Sequence, residues 1–201
     1  MEPPVITISR QFASMGRSVA QRLAADLGIS FMDRDIVKET AKRMNLPISE
    51  VSSHDEKPGA SGFIMRKSYL FNFGVYSISK QIFEAQRSII SDFAAKGPCI
   101  IVGRLAEEIL RGRPNTLRVY ICAPFDDRVA NCAEKLMIGN QEDCERDIRK
   151  VDAARAAYRR RFAGHDLNPE DFDLVLSTGR FGIEGCASII GAIARKHLKW
   201  E

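Results

Sequence analysis

The sequence has no cysteines spaced C-x-x-C, no run of about 18 apolar residues, and only three histidines and one tryptophan among its 201 residues. Each absence removes a class of function. Cys99, Cys122, Cys132, Cys144 and Cys186 are odd in number and sit mostly in apolar segments, where a reduced thiol behaves as a small hydrophobe, so no zinc site is expected. The lack of a long apolar run argues against a membrane span. The opening MEPPVITIS has neither a basic start nor an apolar core of the kind a secretory signal needs, and the expected compartment is the cytoplasm.

Acidic residues are scarce in one place. Between Arg146 and Arg161 seven basic residues meet only Asp147 and Asp152, a local excess of +5 in a chain whose formal net charge is +4. Arginines outnumber lysines 20 to 10, and the planar guanidinium suits bidentate contact with phosphate. A phosphate-rich small ligand, nucleic acid and a solvated helix face all fit such a cluster. Only Tyr158 and Phe162 interleave with it, a thin stacking platform that argues against nucleic acid.

Short apolar runs alternate with helical periodicity along the chain. Val5 to Ser9, Ile29 to Met32, Pro98 to Val102, Leu117 to Cys122 and Phe172 to Leu176 read as strands. Between them, Val19, Ala20, Leu23, Ala24 and Leu27 mark one helix face closed by Gly28, and a second helix is expected from about Asp33 to Met44. Asn45 to Gly62 lacks an apolar period and reads as an exposed connection, whereas Phe63 to Lys96 is mainly helical with a break near Gly74. Ile183 to Leu198 is the last expected helix. This alternation predicts an α/β protein with a parallel sheet covered on both faces, whose chemistry sits at the carboxyl ends of the strands. Those ends are Ser9-Arg10, Met32-Asp33, Gly103-Arg104, Ala123-Pro124 and Ser177-Thr178.

Residues 11 to 18, QFASMGRS, lie in register with the phosphate-binding pattern G-x-x-x-x-G-K-[ST], matching at Gly16 and Ser18. Gln11 replaces the first glycine and Arg17 the lysine. The loop follows a buried strand and opens an amphipathic helix, so helix amides and dipole favour a phosphate above it. Arg17 would add positive charge and Ser18 a hydroxyl for Mg²⁺. An ordinary strand-to-helix turn with an exposed arginine is the plainer alternative.

The string ISRQFASMGRSVAQRLAADLGISFMDRDIV resembles the opening of the cytidylate kinase-like family, a branch of the nucleoside monophosphate kinases. CIIVGRLAEEIL, LRVYICAP, KVDAARAAYRRRFAG and DLVLSTGRFGIEG agree with it in order and spacing. The resemblance implies a three-layer P-loop kinase fold with a five-stranded parallel sheet. It implies a core of residues 1–44, 97–138 and 170–201, a helical acceptor-binding region at about 45–96 and a lid at about 139–168. It places the donor phosphates over Ala13, Ser14, Met15, Gly16, Arg17 and Ser18, with Asp33 facing acceptor and metal and Arg104 gripping the acceptor phosphate. Asp33 could also be a helix N-cap, and Arg104 could pair with a surface carboxylate. Asp152, Arg155 and Arg159 share a helix face within about 60° of one another, one acid and two guanidiniums that could close over a triphosphate. Within that reading Arg17, Asp33, Arg155 and Arg159 are the catalytic candidates. Asp33, Arg104, Asp152 and Arg155 are the substrate-binding ones, and Ser18 and Asp33 the metal ligands. Intrahelical pairing of Asp152 with Arg149 and Arg155 is the alternative for that face.

The sequence departs from the family at three points. Relatives carry glycine where this chain has Ala13 and Met15, arginine stands for lysine at position 17, and no aspartate follows CIIV in the Walker B manner. The expectation is an ATP- and Mg²⁺-dependent phosphotransferase for CMP, dCMP or a similar small acceptor. A catalytically weak nucleotide-binding regulator and a kinase of a different small metabolite are the alternatives. Partners are expected to be small-molecule nucleotides, with neither membrane nor nucleic acid. The oligomeric state is open, a homodimer among the options. His54, His165 and His197 receive no catalytic role.

Overall fold

The computed structural model describes residues 2–53 and 72–200. Five strands, β1 (Val5–Arg10), β2 (Ser30–Met32), β3 (Cys99–Val102), β4 (Thr116–Cys122) and β5 (Leu174–Ser177), form one parallel sheet in the order β2-β3-β1-β4-β5. Helices α1 (Gly16–Leu27), α2 (Asp35–Met44), α3 (Ile48–Ser53), α4 (Asn72–Lys96), α5 (Ala106–Ile109), α6 (Phe125–Ala130), α7 (Gln141–Ala163) and α8 (Thr178–His197) complete the alternation.

The continuous apolar runs of the central strands follow from burial on both faces. Ile6, Ile8, Ile100, Val102, Val119 and Ile121 point to one side, where they pack on Val19 and Leu23 of α1 and Ile190 of α8. Val5, Cys99 and Ile101, one residue out of phase, face Ile36 of α2, Ile90 and Ala94 of α4 and Ala106 of α5. One register slip would exchange these sets, so two buried faces fix the pairing. Gly28 ends α1 in the left-handed conformation at φ 65° and its N–H caps the carbonyls of Ala24 and Ala25, the stop that the sequence signalled.

Four sequence expectations change. Part of Asn45 to Gly62 is helical: α3 is held by Val51, fully buried against Val37, Ala41 and Ile82. A single anchoring residue in a six-residue helix leaves no period to read. The break expected near Gly74 does not occur, because α4 runs unbroken from Asn72, while Phe63 to Phe71 lie outside the described residues. The last helix starts at Thr178 and kinks at Gly182 (φ 65°, ψ −177°) before Ile183. Asp33 precedes α2 by two residues and caps nothing; Arg34 holds the N-cap position. All five thiols are free, and burial pushes those of Cys99 and Cys132 up to about 12, which keeps them protonated. Among the described residues no helix is long and apolar enough to cross a membrane.

Candidate active site

The loop between β1 and α1 is built from its carbonyls outward. Arg10 O accepts from Arg155 Nη1 at 2.9 Å, Gln11 O from the Ser14 hydroxyl at 2.9 Å and Phe12 O from Arg128 Nη1 at 3.4 Å. Ala13 O accepts from Asn131 Nδ2 at 3.1 Å, Ser14 O from the Thr178 hydroxyl at 2.9 Å and Met15 O from the Val19 amide at 3.0 Å. Six consecutive carbonyls are thus drawn away from the loop centre. The amides of residues 13 to 18 donate to no acceptor among the described residues. Unpaired consecutive N–H groups at a helix N-terminus form an anion-binding concavity.

Two non-glycine residues make this turn in the left-handed region, Ala13 at φ 57° and Met15 at φ 58°, where glycine would sit without strain. Gly16 has no such freedom to lose but no room either. A Cβ there would lie 2.8 Å from Arg10 Cβ and 3.2 Å from Ile121 Cβ, so the α1 start approaches β1 and β4 only as glycine.

At the neighbouring strand ends, Asp33 is buried and holds two arginines at once. Its Oδ2 accepts from Arg17 Nε at 2.6 Å and its Oδ1 from Arg104 Nη1 at 3.1 Å. Arg104 is equally buried, whereas 45% of the Arg17 side chain is exposed at the rim. Arg104 sits in a left-handed turn of three residues, Gly103 (φ 77°), Arg104 (φ 54°) and Leu105 (φ 55°). Two L-residues there cost about 1–2 kcal/mol each. Leu105 offsets part of this by packing, buried, against Phe83 of α4 and Tyr158 of α7.

Helix α7 lies across the same edge. Asp152 Oδ1 accepts the Phe12 N–H at 2.8 Å and its Oδ2 accepts from Arg128 Nη1 at 2.5 Å, while the Arg155 guanidinium stands over the Phe12 ring, 6.0 Å from its centroid. The intrahelical pairing open to Asp152 is replaced by contacts reaching 24 and 140 residues away. Arg159 is buried in ion pairs with Glu107 and, at 3.2 Å, Glu108; Glu107 in turn accepts from the Ser9 hydroxyl at 2.8 Å. Arg159 therefore lines the space beneath α7 with its charge already matched, and the structure does not present it to the loop amides as the shared helix face suggested. Between α7 and the ends of β1 and β4 lies a cavity of about 200 Å³ lined by Arg10, Tyr120, Asp152, Arg155, Tyr158 and Glu107, among others. Burial pushes the Tyr120 hydroxyl up to about 12, so it stays a neutral donor there.

Beyond Arg159, α7 ends on a charged cluster. Glu108 accepts from Arg111 Nη2 at 2.7 Å and lies 3.3 Å from His165 Nε2, and Arg111 also reaches Asp171 at 3.1 Å. Burial alone would raise the Glu108 and Asp171 carboxyls, but Arg111 and His165 outweigh it and hold both below their usual range.

The structure brings Ala13 to Ser18, Arg17, Asp33, Arg104, Asp152 and Arg155 to one edge of the sheet. It adds residues that the sequence did not single out, Arg128, Asn131, Glu107 and Glu108, and shows Thr178, already at a named strand end, gripping the loop. Arg128 and Asn131 reach carbonyls of the loop from more than 100 residues away, and Glu107 and Glu108 pair with Arg159 across 52 and 51 residues, contacts that no spacing signals. The amides of residues 13 to 18 are donors of the kind that suit phosphate oxygens. The Ser18 hydroxyl, half-buried in the first turn of α1, is a fitting oxygen donor for Mg²⁺. Asp33 fits less well, because both its oxygens are occupied by guanidiniums.

Residues 5–180 match the model of the cytidylate kinase-like family. Among curated proteins none matches the chain. Among solved structures, an uncharacterized protein from Eubacterium ventriosum is similar with a TM-score of 0.73 and 23% identity, over 97% of this chain and 99% of that one. Shikimate kinase from Bacteroides thetaiotaomicron is similar at a TM-score of 0.56 and 12% identity, over 96% of this chain and 98% of that one. A gluconokinase from Sinorhizobium meliloti matches at 0.56 and 10%, over 97% and 94% respectively. At such identities the likeness is one of fold, that of the P-loop kinases.

Proposed function

The chain belongs to the cytidylate kinase-like family, and from that premise we propose that it is an ATP-dependent phosphotransferase acting on a small acceptor, with CMP or dCMP first. The observation that carries the reading is the loop at residues 10 to 18, with six carbonyls held outward and six amides that find no acceptor among the described residues.

Phosphoryl transfer asks the protein to align donor and acceptor, neutralise the charge on the moving group and exclude water. The amides of residues 13 to 18 bind the donor phosphates, and Arg17, exposed on its outer side, adds charge at the γ position. Arg104 offers its fork to the acceptor phosphate, and Asp33 orients both arginines. Arg155 covers the loop from α7. A monoester phosphate with its second pKa near 6 is already largely dianionic at neutral pH, so this chain needs no strong base. Ser18 is the residue that would hold Mg²⁺, and the ion, when bound, supplies charge neutralisation on the phosphate oxygens. Residues of about 45–96 would shape the acceptor pocket and those of about 139–168 would act as the lid.

One observation favours a second reading, a nucleotide-binding protein of low turnover: Arg17 is tied to Asp33 at 2.6 Å and must leave it to follow a phosphoryl group. ADP release measured with ATP and Mg²⁺ across nucleoside monophosphates and hydroxylic metabolites such as shikimate and gluconate separates the two. Acceptor-dependent release with CMP or dCMP supports the kinase, release with a hydroxylic acceptor redirects its specificity, and ATP binding without acceptor-dependent release favours the second reading.

A further inference from the structure

The peptide unit at Phe12 is held on both sides. Its N–H donates to Asp152 Oδ1 at 2.8 Å and its C=O accepts from Arg128 Nη1 at 3.4 Å, and those two side chains pair with each other at 2.5 Å. The result is a closed ring of three contacts joining α7, α6 and the loop. Arg128 is buried, and among the described residues Asp152 is the carboxylate that matches its charge. One residue later the chain enters the left-handed conformation at Ala13 and the run of unpaired amides begins. Ala13 itself sits in an apolar cluster with Val129 of α6 and Ile148 of α7.

We infer that Asp152 and Arg128 are positioning residues for the donor site: they fix the Phe12 peptide, and with it the amides of residues 13 to 18, in the geometry that receives phosphate. Asp152 thereby acts on the loop backbone from α7 and not on a nucleobase. The inference rests on the reading of that loop as the donor-phosphate site. Strained residues persist only where their surroundings over-determine them, and the ring supplies that restraint at the point where the loop departs from β1. It also makes donor affinity depend on α7 being docked.

The test separates positioning from stability. In Asp152→Ala the buried Arg128 loses its partner, so thermal stability falls, the Phe12 amide exchanges faster with solvent, and the ATP dissociation constant rises by about ten-fold or more, the effect of one charge-assisted hydrogen bond. In Asp152→Ala/Arg128→Met no buried charge remains unmatched. That double variant should recover most of the lost thermal stability while Phe12 exchange stays fast and ATP binding stays weak. If it regains both slow exchange and wild-type ATP affinity, the two residues only stabilise the fold and the inference is overturned. Should Asp152→Ala fail to fold, the double variant decides alone. Should the wild-type protein take no ATP, the donor-site reading falls, and the Phe12 exchange rates still decide whether the ring holds the loop.

Discussion

The Asp33 carboxylate and the Arg104 guanidinium, 71 residues apart in sequence, meet at 3.1 Å beyond the ends of β2 and β3. Parallel strands deliver their carboxyl ends to one edge, so two strand-ending residues of opposite charge become partners through topology. Arg17 on the other Asp33 oxygen makes the carboxylate a hub between the first turn of α1 and Arg104. Asp33→Asn should therefore lower kcat more than it weakens ATP binding, and Arg104→Lys should impair turnover although it keeps the charge, since lysine has no fork. Steady-state kinetics on both variants checks this, and wild-type turnover in both would remove Asp33 and Arg104 from the site.

Met15→Gly should raise stability by up to about 1 kcal/mol, because glycine relieves a left-handed residue at a partly exposed position. Ala13→Gly should be close to neutral. The strain it relieves is similar, but it deletes a buried methyl worth about 0.8 kcal/mol. Urea unfolding of the two variants shows the difference, and equal gains would mean that the Ala13 methyl contributes nothing.

Gly16→Ala should behave oppositely to Met15→Gly. A methyl 2.8 Å from Arg10 Cβ forces α1 away from β1 at a cost of about 1–3 kcal/mol and spoils the amide concavity, so stability and ATP affinity fall together. An ATP titration with wild-type affinity would place the nucleotide elsewhere.

The buried pair of Glu107 and Arg159 should be intolerant of losing one member. Glu107→Gln leaves a buried guanidinium with a weaker partner set and should cost up to about 3–5 kcal/mol, whereas Glu107→Gln/Arg159→Met should cost less than Glu107→Gln alone. Thermal unfolding orders the variants. A double variant worse than the single would show that Arg159 acts mainly outside this pair.

Stability should decline in acid through Glu108 and Asp171. Their folded carboxyls lie below the usual range, so their contribution is complete above the unfolded values near 4 and disappears as pH falls through the lower folded ones. Glu108→Gln should flatten the acid limb of the stability profile below about pH 4. An unchanged limb would assign acid unfolding to other carboxylates.

Much of the fold was legible because it rests on local pattern. The five apolar runs, the Gly28 stop and the glycine-containing loop each carry their signal within a few residues. Helix α3 was not, since Val51 alone anchors it. In the candidate site, the placement of Arg17, Asp33 and Arg104 was legible from their positions at the ends of strands or the start of a helix. Arg159 was legible in part: its helical face follows from spacing, but its partners Glu107 and Glu108, 52 and 51 residues away, do not. Asn131 and Arg128 were invisible for a related reason, because a side chain that serves a distant carbonyl leaves no periodic trace.

Along α7, Asp152, Arg155 and Arg159 engage Phe12, Arg10 and Glu107 in turn from a single stripe that spans about 10 Å at 1.5 Å per residue. A helical segment of that length behaves as a rod, so a displacement at one end loads the contacts at the other. The three attachments therefore tie Phe12, Arg10 and Glu107 into one mechanical unit.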